Sequence, residues 1–484
     1  MKLFVRTAVR RKLAAAVAMA FLMTCLDVAH PVRSDALSLA EEKELGEKLL
    51  EMIKESMPLI EDGEILTYVQ SVGKRVVEHV GTTPYQYQFF VVNESVPNAF
   101  AAPGGYIFIY RGLIELMDSE GELAGIISHE LAHIQARHIH RRMEEGRLLN
   151  IASIAGVLAG ILLGMSMKSE ASNALAVGSM AGAATMQLKY SRENEEEADQ
   201  LGFRYLCAAG YPPRDMVKGM ERLNQGRFVS NTKVPSYLST HPALNERISY
   251  LSDMVEKAKN SPGKPPRRAS VGDFSMMQAA LVADYTDPKI AFDRFEAAAN
   301  AGESSGIYGL GRLFLRQGNI EEAVRCLQKA ARLEPTSSLA LSTLGAAYHK
   351  QGRYRDAQTA LQSALVLNPT AAGAHLRLAT IHQELGNKDK ALEHLTEIKE
   401  LAPTFPEIDH QLGVVLGQMN KLGPAHYHLG RYYEYRGDWK NALFHYGKAK
   451  PLLMDSVEKQ HELERLLKDL EKKKNEAQWR QMRK

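Results

Sequence analysis

Cysteine is scarce: the 484 residues hold only Cys25, Cys207 and Cys326. No disulfide framework staples this fold. Cys207 and Cys326 lie in regions of different character and are expected to be two buried thiols, with an interdomain disulfide as the alternative. Charge of one sign is also lacking, since the formal net charge is +3 and much of the basic excess sits at the two ends. That excludes the electrostatic footprint of a nucleic-acid binder, and no nucleic-acid partner is expected. Long apolar runs are few. "LAAAVAMAFLM" (13–23) is too short to span a bilayer comfortably.

What is present fits a folded globular chain, 45% hydrophobic and 24% charged. It is too long for one ordinary core, so two domains are expected. The short apolar run follows a basic segment (Lys2, Arg6, Arg10, Arg11, Lys12) and precedes the small residues Ser34-Asp35-Ala36. Residues 1–36 are therefore expected to be an export signal. A lipid anchor at Cys25 and an uncleaved membrane anchor are the alternatives. If the source is a bacterium, export implies the periplasm or cell surface.

Helices are expected over 39–57 and 62–80, and strands over 85–92 ("YQYQFFVV") and 104–113 ("GGYIFIYRGL"). The Gly- and Ala-rich stretch 148–186 is expected to be a helical hairpin over the catalytic domain or dipping into a membrane surface, with true spanning as the alternative. Residues 259–270 ("KNSPGKPPRRAS") have the composition of a linker.

Beyond the linker a pattern repeats every 34 residues: Gly311, Gly345, Ala379, Gly413; Ala323, Ala357, Ala391, Ala425; Pro335, Pro369, Pro403. It resembles the tetratricopeptide repeat, with small residues where two helices cross and Pro ending the second. The array is expected over 271–450, with 274–300 a degenerate first unit and a last unit offset by half a period at Leu429-Gly430. The charged segment 451–484 is expected to be a capping helix. Such arrays usually bind protein, and binding is expected here, with pure scaffolding as the alternative.

The chemistry starts at His129-Glu130-x-x-His133. Ser119 and Glu122 form a capping box, so a helix should begin there. Residues four apart share a helical face, so His129 and His133 project together as two nitrogen ligands to one zinc, with Glu130 beside them as a base for water.

Carboxylates crowd "YSRENEEEADQ" (190–200). On a helical wheel Glu195 and Asp199 share a small, apolar face, whereas Glu193 and Glu197 face the opposite way and Glu196 lies between. A buried carboxylate needs a partner. Glu195 is the expected third zinc ligand, and Asp199 is expected to accept the N–H of a ligating histidine. His138 and His140, beside Arg141 and Arg142, are expected at the surface.

HExxH followed by "SRENEEEADQLG" resembles the HtpX and CAAX-prenyl-protease group of zinc metallopeptidases. "PNAFAAPGG" (97–105) and "STHPALNER" (239–247) resemble that group's flanking elements. With an export signal and repeats, nearly the whole mature chain resembles the BepA-type periplasmic metalloproteases. The resemblance implies an α+β, mostly α fold: a zincin-like metallopeptidase domain with a small sheet and an HExxH helix over 37–258, then an α-solenoid.

It implies one zinc per chain on His129, His133 and Glu195. Glu130 would be the general base, and Asp199 would lie behind a ligand or give a proton. Asn98, Ala99, Phe100 and Ala101 would lead into an edge strand that pairs with substrate backbone. His241 would stabilise the oxyanion, or swing in as a fourth ligand and silence the zinc; the plain alternative is that His241-Pro242 caps a helix. Arg247, the last residue of the downstream element, would support the transition state or the structure.

The function implied is an exported zinc endopeptidase in outer-membrane protein assembly and quality control. Its substrates would be misassembled or stalled envelope proteins, and its array would recruit client or assembly machinery. The alternatives are a chaperone-like assembly factor with a largely silenced zinc site, and an HtpX-like membrane-embedded protease.

Overall fold

A computed structural model describes residues 38–144, 190–229, 237, 240–259, 270–401, 405–454 and 456–482. The expected export signal, the 148–186 hairpin and nearly all of the linker lie outside the described residues. Among those described, no helix is long and apolar enough to cross a membrane.

The first layer is α1 (Leu39–Ser56), α2 (Gly63–Val77) and a three-stranded sheet, β1 (Gln88–Val92), β2 (Ala99–Ala102) and β3 (Tyr106–Tyr110). Asp62 caps α2 by accepting from the N–H groups of Glu64 and Ile65, both at 3.0 Å. The sheet order is β1-β3-β2, with β1 parallel and β2 antiparallel to β3. Every residue of central β3 is buried, which its near-continuous apolar run requires.

Two expectations need correction here. The segment expected to lead into an edge strand is itself the edge strand, β2. The strand expected over 104–113 ends at Tyr110, where helix α3 (Arg111–Leu116) begins. The chain bends because Gly112 N–H donates to Glu94 C=O, so close that a Cβ there would meet Ser95 O at 2.1 Å.

The motif helices follow: α4 (Glu120–Gln135), α5 (His138–Glu144), α6 (Arg192–Ala208), α7 (Arg214–Val229) and α8 (Leu244–Lys259). Ser119 caps α4 by accepting from Glu122 N–H at 3.2 Å. The Glu122 carboxylate accepts instead from Asp118 N–H, one residue before its expected partner.

The repeats are helix pairs: α9 (Phe274–Tyr285) with α10 (Pro288–Asn300), α11 (Ser304–Gln317) with α12 (Ile320–Leu333), α13 (Ser338–Lys350) with α14 (Tyr354–Leu367), α15 (Ala372–Glu384) with α16 (Lys388–Leu401), and α17 (Pro406–Gln418) with α18 (Leu422–Tyr435). Then come α19 (Trp439–Ala449) and α20 (Val457–Met482), which buries Leu463 and Leu470. The 34-residue glycines sit where helices cross. A Cβ at Gly311, Gly345 or Gly413 would approach Leu327, Leu361 or Leu429 to 2.6–2.7 Å.

The array folds back on the first domain. Phe274, Met277 and Leu281 of α9 share one apolar core with Val69 and Ile127. Buried Arg312 of α11 reaches Asp62 at 2.9 Å, Glu64 at 2.8 Å and Asp284 at 2.7 Å. Cys207 and Cys326 are free, half-buried thiols, so the disulfide alternative falls.

Candidate metal centre

The centre forms where α6 crosses α4. Gly202 permits the approach, since a Cβ there would lie 3.0 Å from the backbone N of His129. This crossing brings Glu195 and Asp199, one helical turn apart, onto the two motif histidines. All four side chains are buried.

The donor atoms converge. His129 Nε2 lies 3.0 Å from His133 Nε2 and 3.3 Å from His241 Nδ1. Glu195 Oε1 lies 3.0 Å from His241 Nδ1 and 3.5 Å from His133 Nε2. Donors on one tetrahedral ion at about 2.0–2.1 Å stand roughly 3.3–3.4 Å apart, so these spacings suit a common metal.

Tautomers give a second test. His129 Nδ1 faces Asp199 Oδ1 at 2.9 Å and donates to it, which leaves a lone pair on Nε2. His138 Nε2 donates to Glu197 Oε2 at 3.2 Å, so His138 Nδ1 accepts from His133 Nδ1 at 2.8 Å. His133 Nε2 therefore also carries a lone pair. Two such lone pairs 3.0 Å apart repel unless a cation lies between them, and the residues present fit a divalent metal.

Charge agrees with this. Burial holds the His133 pKa well below its usual value, so the ring is neutral. Burial alone would raise Glu195, but Arg247 and His241 overcome it and hold the carboxyl well below its ordinary range. Asp199 is likewise held low against burial, by Arg247 and His129. Arg247 is buried and its fork is fully engaged. Nε and Nη2 each donate to Asp199 at 2.7 Å, and Nη1 donates to Glu195. Tyr250 Oη also donates to Asp199.

Glu130 differs from every neighbour. It is fully buried and neither carboxylate oxygen has a hydrogen-bond partner. His241 Nε2 lies 3.6 Å from Glu130 Oε1, beyond hydrogen-bond reach. His241 itself is not a helix cap: its ring lies among the donors and stacks on Tyr237, with centroids 4.3 Å apart. Ala243, two residues on, holds a left-handed φ of 61°, so this turn is kept against backbone preference.

Other expectations meet the structure as follows. Asn98, Ala99 and Ala101 are buried, and half-buried Phe100 stacks on Phe108 at 4.8 Å. Glu193 and Glu196 are exposed. His138 and His140 are buried, against the expectation of surface positions. Arg137, with φ 52°, turns the chain sharply after α4 and brings His138 back against His133. That turn is invisible to a helical wheel. Tyr190, stacked on His133 at 3.9 Å, carried no signal except its place beside the acidic run.

These contacts predict unequal effects within the run. Glu195→Gln should lower metal affinity by at least ~100-fold, because it removes a charged donor. Glu197→Gln, which acts on His133 only through His138, should cost no more than ~10-fold. Metal titration of the stripped protein checks both; equal losses would contradict this geometry.

Two histidines and a glutamate on crossing helices, with a buried glutamate that accepts no hydrogen bond beside them, define a metallopeptidase-type centre joined to a helical repeat array. Residues 66–255 match Peptidase family M48, residues 311–352 match a TPR repeat and residues 348–410 a tetratricopeptide repeat. The chain carries a peptidase family M48 metallopeptidase domain followed by tetratricopeptide repeats.

Over 305 residues it is 29% identical to the beta-barrel assembly-enhancing protease of Escherichia coli K12, covering 62% of this chain and 61% of that one. It is 33% identical over 250 residues to the protein of that name in Yersinia pestis, covering 51% and 50%. It is 28% identical over 200 residues to the mitochondrial metalloendopeptidase OMA1 of Schizosaccharomyces pombe, covering 40% and 53%. The chain thus spans less than two thirds of the length of these relatives.

Proposed function

We propose that this chain is a zinc endopeptidase of the bacterial envelope that acts in the assembly and quality control of outer-membrane proteins. The observation that carries the peptidase reading is the buried donor set of His129, His133 and Glu195 beside the carboxylate of Glu130, which accepts no hydrogen bond. The names of the bacterial relatives support the assembly role, and the basic-then-apolar N-terminal segment supports the periplasm. The repeats would recruit client or assembly proteins.

When bound by His129, His133 and Glu195, zinc would supply a Lewis acid for the scissile carbonyl and acidify a water. Glu130 takes the proton of the attacking water and returns it to the departing amine. Asp199 holds the His129 tautomer, and Arg247 fixes Asp199 and Glu195 together. A substrate strand pairs with the edge of β2 that is unpaired among the described residues, beside α4.

A specific observation favours a resting, closed form. His241 Nδ1 lies within 3.0–3.3 Å of Glu195 and His129, where a fourth donor would sit. His241→Ala is then expected to keep zinc and raise casein cleavage about tenfold, which corresponds to a resting preference of ~1.4 kcal/mol. Zinc analysis with a casein digestion assay on wild type and variant tests both readings. A wild type that binds no zinc would end the peptidase reading. Loss of activity in His241→Ala would assign His241 to the oxyanion instead.

A further inference from the structure

The hairpin of α15 and α16 departs from the repeat's own pattern. Two positions recur at the 34-residue step: Ile307, Leu341, His375 and Asp409 on the first helices, and Cys326, Ala360, His394 and His428 on the second. Two repeats place small or apolar groups there. The α17–α18 pair places Asp409 against His428 at 2.8 Å, with Lys399 on the same carboxylate. The α15–α16 pair sets one imidazole against another, as the offset last unit does with His426 Nδ1 2.9 Å from His445 Nδ1, but among the described residues only the α15–α16 pair adds a carboxylate within 4.8 Å.

His375 is buried. Its Nε2 donates to the Pro369 carbonyl at 2.9 Å, so its Nδ1 carries a lone pair. That Nδ1 faces His394 Nδ1 at 3.3 Å. Glu397, one turn beyond His394, brings Oε2 to 3.8 Å from the same atom. Donor atoms of all three residues lie within 4.8 Å of one another. His382 lies two turns beyond His375. Its ring runs parallel to that of His394 with centroids 5.7 Å apart, and its buried Nδ1 has no hydrogen-bond partner among the described residues.

A lone His394–His375 hydrogen bond would satisfy the facing nitrogens. It would not account for the added carboxylate of Glu397, nor for a third imidazole beside the pair whose buried Nδ1 has no hydrogen-bond partner among the described residues. We propose that His375, His394 and Glu397 form a second metal site, for a divalent ion of the zinc class, within the repeat array. Two imidazoles and a carboxylate suit zinc, cobalt or nickel, and a backbone carbonyl behind a ligating histidine is the support such ligands carry. The ion would tie α15 to α16. This hairpin meets α2 of the peptidase domain so closely that a Cβ on Gly373 would lie 2.3 Å from Glu64 Oε1. The site would therefore brace the junction between array and peptidase.

The test uses the full chain, stripped with EDTA, dialysed, then titrated with Zn²⁺ or Co²⁺ and analysed for bound metal. A His129→Ala/His133→Ala variant, which lacks the first centre, should still bind one equivalent and gain thermal stability from it. Adding His394→Asn should abolish both effects. In the otherwise native chain, His394→Asn should lose one of two equivalents and keep casein cleavage within about twofold. If that variant does not fold, exposed Glu397→Gln replaces it and should weaken the second equivalent at least ~10-fold. The proposal is overturned if the double variant binds no metal, or if its bound equivalent survives the change at His394 or Glu397 unweakened. A wild type with a single equivalent lost on His394→Asn would instead spare this site and remove the first.

Discussion

Glu130→Gln is expected to abolish proteolysis while leaving the metal bound and the fold more stable. The base contributes about 10²–10⁴ in rate, because a proton must leave the water as it attacks and a glutamine amide cannot accept it. The fold should gain because Glu130 is wholly buried and neither oxygen is hydrogen-bonded. A neutral amide of the same shape relieves roughly 1–3 kcal/mol of desolvation cost. Casein digestion, metal content and thermal melting of one preparation measure all three effects. Cleavage within tenfold of wild type would remove Glu130 from the mechanism. A retained biological effect without cleavage would favour the assembly-factor alternative, since only the peptidase reading needs this proton transfer.

The second large effect is expected at Arg247, and it is one of stability. Arg247→Leu leaves Glu195 and Asp199 facing each other in a buried pocket without their shared cation. Removing one partner of a buried ion pair costs about 3–5 kcal/mol, chiefly the cost of the charge left behind. The loss should be largest in the metal-free protein, because a bound dication would itself offset Glu195. Arg247→Lys keeps the charge but not the fork that bonds Asp199 at two atoms, so it should fall between leucine and wild type. Urea unfolding with and without EDTA reads the difference. Equal stability of Arg247→Leu and wild type in EDTA would show that the guanidinium holds nothing together.

Much of the centre was legible because its parts lie within one turn of each other. A period of 3.6 residues puts His129 with His133 and Glu195 with Asp199, whatever surrounds them. The same arithmetic separated Glu195 from exposed Glu193. It misplaced His138, because Arg137 ends helical geometry with a left-handed residue and returns the chain to His133. It also missed that half-exposed Glu197 connects to the centre through that histidine. The 34-residue step was likewise legible as stacked helix pairs. Nothing in the linker's composition announced that α9 would share the peptidase core or that Arg312 would reach two carboxylates, Asp62 and Glu64, across the junction.

The sequence by itself determined the helices, the repeat and which side chains share a face, since these follow from spacing along one chain. Only the tertiary structure decided which faces meet. Glu195 lies 66 positions from His129, and what joins them is a helix crossing that Gly202 allows by lacking a Cβ. His241 and Arg247 enter from a third element, across a turn held in strain at Ala243. Contacts between elements depend on crossing angle, close approach and loop path, and no local periodicity records those.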